Sequence, residues 1–339
     1  MKTIRLFLMI CLAALLFTPA ALQAEDKKPR IGVSLPTTQQ ERWIRDEEAI
    51  RSIARKKQLD ILVEMGNNNQ MQQNLQIGRL LSQNIDVLIL APHDAVGAAS
   101  MVRKAHNQGV KVISYDRLVL DPGVDVYITF DNEKVGELQA LYLTEKAPRG
   151  DYIVLSGSPN DNNARLFRGG AMKVIEPLVE AGMVKIAADT PVIDWMPENA
   201  QKTVEKLLAD GVRPVAVLAP NDSTAGGVIE ALAAHGLAGK VPVSGQDADL
   251  EGARRIVEGL QSMTVFKDTR QLAAKAIDVA VEIFEKESWE DSVNARTATP
   301  DGKNEIPTIL LEPVMVDKSN LQKILVDSQY LKQSEVFVE

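Results

Sequence analysis

Five short apolar runs in this chain end on charged or amide side chains. Asp116-Arg117 follow Val112-Ile113-Ser114-Tyr115, and Asn221-Asp222 follow Val217-Leu218-Ala219-Pro220. Asp161-Asn162-Asn163, with Arg165 and Arg168 beyond, follow Val154-Leu155-Ser156-Gly157. Asp247 and Asp249 come after Val243-Ser244-Gly245-Gln246, and Lys267 comes after Thr264-Val265-Phe266. Trp43 and Trp195, two of the three tryptophans, follow two further runs. Carboxylates, guanidinium groups and amides are fixed donors and acceptors, while indoles are flat apolar faces. A sugar ring needs both, because its edge is hydroxyl and its faces are C–H. The planar fork of arginine can bond two neighbouring hydroxyls, and a carboxylate can accept from two. Hydrogen bonds to charged groups contribute roughly 1.5–3 kcal/mol each. A handful supports micromolar binding, about −8 kcal/mol, after ordering costs are subtracted.

Each residue also has a plainer role open to it. Asp222 and Asp131 fit turn formers or helix caps. A tryptophan at a strand end can be core or hinge packing, and Arg165 and Arg168, three apart on a helix, can be a solvated face. Trp289, among Glu285, Lys286, Glu287 and Glu290, reads as surface packing. Asp247 and Asp249 could in principle act as an acid/base pair. The three histidines, His93, His106 and His235, are dispersed without metal-ligand spacing. His106 and His235 lie near helix-ending glycines, where imidazole meets terminal carbonyls, whereas His93 follows a strand and is open to a site role. No Gly-x-Gly-x-x-Gly, Walker loop or Gly-x-Ser-x-Gly is found. The expected site is therefore one of binding, with no catalytic residue, metal or cofactor.

Residues that must converge need elements to carry them. Strands are predicted over 30–35, 61–63, 87–90, 110–114, 152–155, 184–186, 215–218, 241–244 and 307–311. Helical spacing fills 43–56, 71–83, 133–144 and 271–285 between them. Such alternation predicts an α/β fold of doubly wound parallel sheets, and ligands there bind beyond the carboxyl ends of the strands. Two smaller sheets suit 339 residues better than one very large one. Residues 286–306 read as a polar loop.

Composition narrows the class. A hydrophobic content of 45% and a charged content of 25% belong to an ordinary globular protein. The net charge of −8 and the lack of a basic stripe argue against a nucleic-acid partner. Residues 1–24 differ from the rest: Lys2 and Arg5 precede an apolar run over 6–17, and Ala24 precedes Glu25-Asp26-Lys27-Lys28. The run is too short to span roughly 30 Å of hydrocarbon, so it reads as a cleaved export signal. Its removal also takes away Cys11, the only cysteine, which excludes disulfides, thiolate catalysis and Cys-zinc sites from the exported chain.

Longer strings carry a resemblance. They include Glu41-Arg42-Trp43, Tyr115-Asp116-Arg117, Phe130-Asp131-Asn132-Glu133-Lys134-Val135-Gly136-Glu137, Asp161-Asn162-Asn163-Ala164, Leu166-Phe167-Arg168, Pro197-Glu198-Asn199-Ala200, Thr224-Ala225-Gly226-Gly227 and Gly245-Gln246-Asp247-Ala248-Asp249. On these the sequence resembles the periplasmic sugar-binding proteins of ABC importers, in the ribose-like group, from about residue 30 to 285. It departs from their pattern at 36–40, at His93-Asp94, at Arg165 and over 286–306.

The resemblance implies two Rossmann-like doubly wound parallel-sheet lobes joined by a three-crossing hinge. One lobe would comprise 30–131 plus 268–290, the other 132–267 plus 305–339. The crossings would lie near Asp131-Asn132, near Lys267-Asp268 and within 286–307. Trp43 and Trp195 would sandwich a pyranose. Asp116 and Arg117 would bind hydroxyls from the first lobe, and Arg168, Asn221 and Asp247 from the second. Lys267 would reach a third side of the ring, with Arg42 and Asn163 as further ligand-binding residues. The implied ligand is a monosaccharide, D-xylose or a related pentose, and the implied partner is an ABC transporter membrane permease. The chain would be a periplasmic monomer. A sugar sensor for a chemoreceptor or membrane kinase, and a secreted sugar-modifying enzyme, are the rival readings. A two-lobed repressor would need its DNA-reading helices where the export signal stands.

Overall fold

The computed structural model describes residues 27–120, 123–299 and 303–338. The expected export signal and Cys11 lie outside them. Strands inside a parallel sheet are covered on both faces and so read as continuous apolar runs. The first part of the chain supplies them. It forms β1 (Arg30–Leu35), α1 (Glu41–Lys57), β2 (Asp60–Met65), α2 (Gln70–Ser82), β3 (Val87–Leu90), α3 (Ala99–Asn107), β4 (Lys111–Tyr115) and β5 (Val126–Phe130). β1 buries every residue after its first, and β3 and β5 bury all of theirs.

The chain then leaves this sheet through Asp131. It forms α4 (Asn132–Lys146), β6 (Gly150–Ser156), α5 (Asn162–Glu180), β7 (Val184–Pro191), α6 (Pro197–Ala209), β8 (Ala216–Leu218), α7 (Asp222–Ala234), α8 (Leu250–Glu258) and β9 (Met263–Phe266). β6 is flanked by β7 and β8, all parallel. The expected strand over 241–244 is reduced to one bridge, Val217 to Val243, since Pro242 has no N–H to give a ladder.

After Lys267 the chain returns. α9 (Thr269–Glu285) sets Leu272, Ala276 and Ile277 into the core of the first sheet beside Ile31 and Val33. β10 (Ala295–Ala298) and β11 (Glu305–Leu311) extend that sheet, whose order is β10-β11-β5-β4-β3-β1-β2. β12 (Val314–Asp317) then pairs antiparallel with β9, and α10 (Gln333–Val336) closes the second lobe.

Two expectations are corrected here. Residues 305–311 belong to the first lobe, because Thr308–Leu311 pair in parallel with Tyr127–Phe130. The third crossing therefore falls between Leu311 and Val314, not within 286–307. The supposed loop over 286–306 contains a short 3₁₀ turn at Trp289–Ser292 and the strand β10. β10 alternates half-buried with exposed residues, as an edge strand does, so its sequence lacks an apolar run. Trp289 packs half-buried against the first core.

Glycine decides how closely α4 and α5 approach. A Cβ at Gly136 would lie 1.8 Å from the Phe167 carbonyl oxygen, and one at Gly170 would lie 1.9 Å from that of Glu133. The backbones touch, which fixes the N-terminal turns of α5. We predict that Gly136→Ala lowers stability by about 1–3 kcal/mol through overpacking. Gly169→Ala, where a Cβ meets nothing within 4 Å, should gain up to about 1 kcal/mol from helix propensity. Urea unfolding of the two variants checks both signs.

Candidate functional site

The loop after β1 ends at Gln40, which sits at the N-cap position of α1 yet makes no cap bond. Its Oε1 instead accepts from Trp43 Nε1 at 2.9 Å, which orients an indole only 1% exposed. The guanidinium of Arg42 lies 4.3 Å from the Trp43 ring centroid. Asp46, one turn further, accepts from Arg42 Nε and Nη2 at 3.0 and 2.8 Å, and also from the Tyr115 hydroxyl. Burial pushes the Asp46 carboxyl up to about 6, against the opposing pull of Arg42 and Tyr115.

At the end of β4, Asp116 adopts a left-handed φ of 56°. Its carboxylate collects donors from three parts of the chain. Arg42 Nη1 reaches Oδ2 at 2.9 Å, Lys267 Nζ reaches it at 3.3 Å, and Asn163 Nδ2 reaches Oδ1 at 3.2 Å. Burial alone would raise the Asp116 pKa, but Arg42 and Lys267 hold it down at about 2. Arg117 crosses to the other lobe, with Nε 2.7 Å from Asp161 Oδ2. Its guanidinium lies 5.0 Å from the Trp43 ring and 6.0 Å from the Trp195 ring.

The second lobe presents the start of α5. Asp161 is its N-cap, accepting from Asn163 N at 2.9 Å. Asn163 and Phe167 are one turn apart and share the cavity-facing side. Trp195 follows β7 in a short 3₁₀ turn, with left-handed φ at Asp194 and at itself. Phe167 meets it edge to face at 6.2 Å. Gly157 makes the room, since a Cβ there would come within 2.0 Å of the indole. Asn221 caps α7 through a capping box with Thr224. That occupies its side-chain oxygen and leaves the amide nitrogen for a ligand. Asp247, with φ 94°, places Oδ1 3.6 Å from Arg42 and 3.5 Å from Lys267.

These groups converge on one small cavity of about 20 Å³. Three cations line it, Arg42, Arg117 and Lys267, and three carboxylates, Asp116, Asp161 and Asp247. The charges balance, so the site suits a neutral polar ligand better than an ion. Trp195 Nε1, Gln246 Oε1 and Asp247 Oδ1 are buried there without a hydrogen-bond partner. Hydroxyls, which both donate and accept, could satisfy all three.

Nine of the ten expected ligand-binding residues line this cavity: Trp43, Asp116, Arg117, Trp195, Asn221 and Asp247, with Lys267, Arg42 and Asn163. Arg168 does not. It faces away on α5, where Nε donates to both oxygens of Asp189 at 3.1 and 2.9 Å near the surface. One residue along a helix turns a side chain by about 100°, so Phe167 takes the place expected of Arg168. Gln40, Phe167 and Gln246 also line the cavity without having been expected to bind ligand, and so does Asp161, which the sequence placed at a strand end without a ligand role. The helical spacing from Asn163 was a signal for Phe167.

Other expectations are also corrected. The cap of α7 is Asn221, whereas Asp222 is buried and accepts from Gln261, Thr264 and the Asp249 backbone. Asp131 does cap α4, accepting from Lys134 N at 3.0 Å. Arg165 is exposed on α5, in keeping with a solvated face, with Nη2 3.1 Å from Asn162 Oδ1. Asp249 is outside the cavity lining, so Asp247 and Asp249 form no pair there. His106 pairs with Asp125 at 2.9 Å instead of helix carbonyls. His93 stands 3.8 Å from Asp194 at the edge of the site and does not line it.

Comparison with known proteins adds an independent finding. A family model described as a periplasmic binding protein domain matches residues 31–288. The chain is 40% identical over 337 residues to the D-xylose-binding periplasmic protein of Escherichia coli K12, covering 99% of this chain and 100% of that one. It is 41% identical over 313 residues to the D-xylose-binding periplasmic protein of Haemophilus influenzae, covering 92% and 93%. In fold it matches an ABC transporter solute-binding protein of Clostridium phytofermentans, solved with bound β-D-glucose, with a TM-score of 0.83 and 32% identity. That match covers 91% of this chain and 99% of the other.

The raised Asp46 carboxyl has a signed consequence. Between about pH 4 and about pH 6 the native state keeps a proton there that the unfolded chain has released. This contribution to stability is present at low pH and is lost as pH rises through about 6. We predict that Asp46→Asn removes that component, so the stability difference between wild type and variant changes across this window. Urea unfolding at stepped pH measures it.

Proposed function

The chain belongs to the periplasmic binding protein family, and on that premise we propose that it captures a pentopyranose, D-xylose foremost, for delivery to an ABC permease. The observation that carries this reading is the shared cavity: two indoles and six balanced charges, contributed by both lobes, around one polar space. The indoles would cover the ring faces, and Asp116, Arg117, Asn221, Asp247 and Lys267 would bind hydroxyls at its edge. The two D-xylose-binding relatives support the choice of sugar.

Closure follows from the placement of the groups. Arg117 to Asp161, Lys267 to Asp116 and Arg42 to Asp247 all join the lobes or the hinge. A sugar that contacts both lobes binds the closed form better and shifts the equilibrium toward it by that difference. The permease would then distinguish loaded from empty protein by lobe geometry. We read the protein as a receptor and not an enzyme. Asp116, held at about 2, is a poor proton donor or acceptor near neutral pH. Residues 1–24 would direct the chain to the periplasm, where it would act as a monomer with its lobes free to move.

Calorimetric titration with D-xylose, D-ribose, L-arabinose and D-glucose tests the reading. D-xylose should bind at micromolar concentration and ahead of the others, and binding no tighter than millimolar would overturn the assignment. Asp247→Asn should weaken xylose binding about ten- to hundredfold, the loss of one charged hydrogen bond.

A further inference from the structure

The start of α8 is capped from the opposite lobe. The first N–H groups of a helix have no partner within it and need one from outside. Asp249 occupies the N-cap position of α8, but its side chain makes no cap bond. The Leu250 N–H donates instead to the two carboxylate oxygens of Glu41, at 3.2 and 3.1 Å. Glu41 opens α1 in the first lobe, 209 residues away. Arg45 steadies it, with Nε 2.7 Å from Oε1, and reaches the second lobe itself through Nη1 to the Tyr330 carbonyl at 3.4 Å. The Arg45 guanidinium also lies 5.1 Å from the Tyr330 ring.

Glu41 is outside the cavity lining, yet the next two residues, Arg42 and Trp43, are within it. One turn of α1 therefore carries both ligand-facing groups and a contact across the cleft. A carboxylate at a helix N-terminus is stabilised by the helix dipole as well as by its hydrogen bonds. This contact exists only with the lobes together, so its energy adds to the closed form alone.

We propose that Glu41 is a positioning residue for ligand retention: it caps α8 across the cleft and sets the lifetime of the closed, loaded protein. The proposal rests on the sugar-receptor reading and concerns a residue that touches no sugar. Stopped-flow fluorescence with D-xylose should show the dissociation rate rising about 3- to 30-fold in Glu41→Ala, the loss of a helix cap. The association rate should stay within about twofold, with Glu41→Gln intermediate and Glu48→Ala, an exposed position on the same helix, unchanged. Hydrogen exchange on the wild-type protein should show the Leu250 amide protected when loaded and exchanging faster when empty. An unchanged dissociation rate in Glu41→Ala, or equal Leu250 exchange in loaded and empty protein, overturns this proposal and leaves the receptor reading standing. Wild-type protein that binds no sugar overturns both.

Discussion

The site depends on how the Asp116 carboxylate is kept ionised in a buried place. Removing a charge from water costs several kcal/mol after relaxation, and only well-placed partners offset it. Here the partners come from separate regions: Arg42 from α1, Lys267 from the hinge and Asn163 from α5. No one element could hold the charge alone. The first lobe, the second lobe and a crossing strand must all be in register before it is stable.

The same dependence extends outward. Arg42 can serve Asp116 only because Asp46 binds its other face, and Asp46 is in turn held by Tyr115, the residue before Asp116. Asn163 is itself held by Tyr127 and Asn132, which sit on either side of the first crossing. Polar networks of this kind are stable only when nearly every member is satisfied. Three of the exceptions lie at the cavity, where Trp195, Gln246 and Asp247 keep unpartnered atoms. Open valences of both kinds, the Trp195 donor and the Gln246 and Asp247 acceptors, thus meet at one cavity and suit a hydroxyl-bearing ligand.

Much of this is legible in the amino-acid sequence. Asp116, Arg117, Asn221, Asp247 and Lys267 each follow an apolar run, and strand ends in such sheets open onto the binding crevice. Arg168 and Phe167 mark the limit, since adjacent residues on a helix point in different directions and the sequence string contains both. Asp222 and Asn221 mark it again: either could cap α7, and only the packing of Asp222 against Gln261 and Thr264 decides. Gln40 and Asp46 were hidden because an amide in a polar loop and an acid within a charged helix resemble solvated residues.

The sequence by itself determined the alternation of strand and helix, and with it the parallel sheets and the row of polar residues at their carboxyl ends. These are local properties, set by apolar runs, turns and helical spacing over a few residues. Tertiary structure decided which sheet β11 joins, where the chain makes its third crossing and which face of α5 looks inward. It also decided that Glu41 caps a helix 209 residues away. The reason is that pairing partners for a strand end, an edge strand or a buried charge are chosen by distant parts of the chain, whose positions no short window of sequence contains.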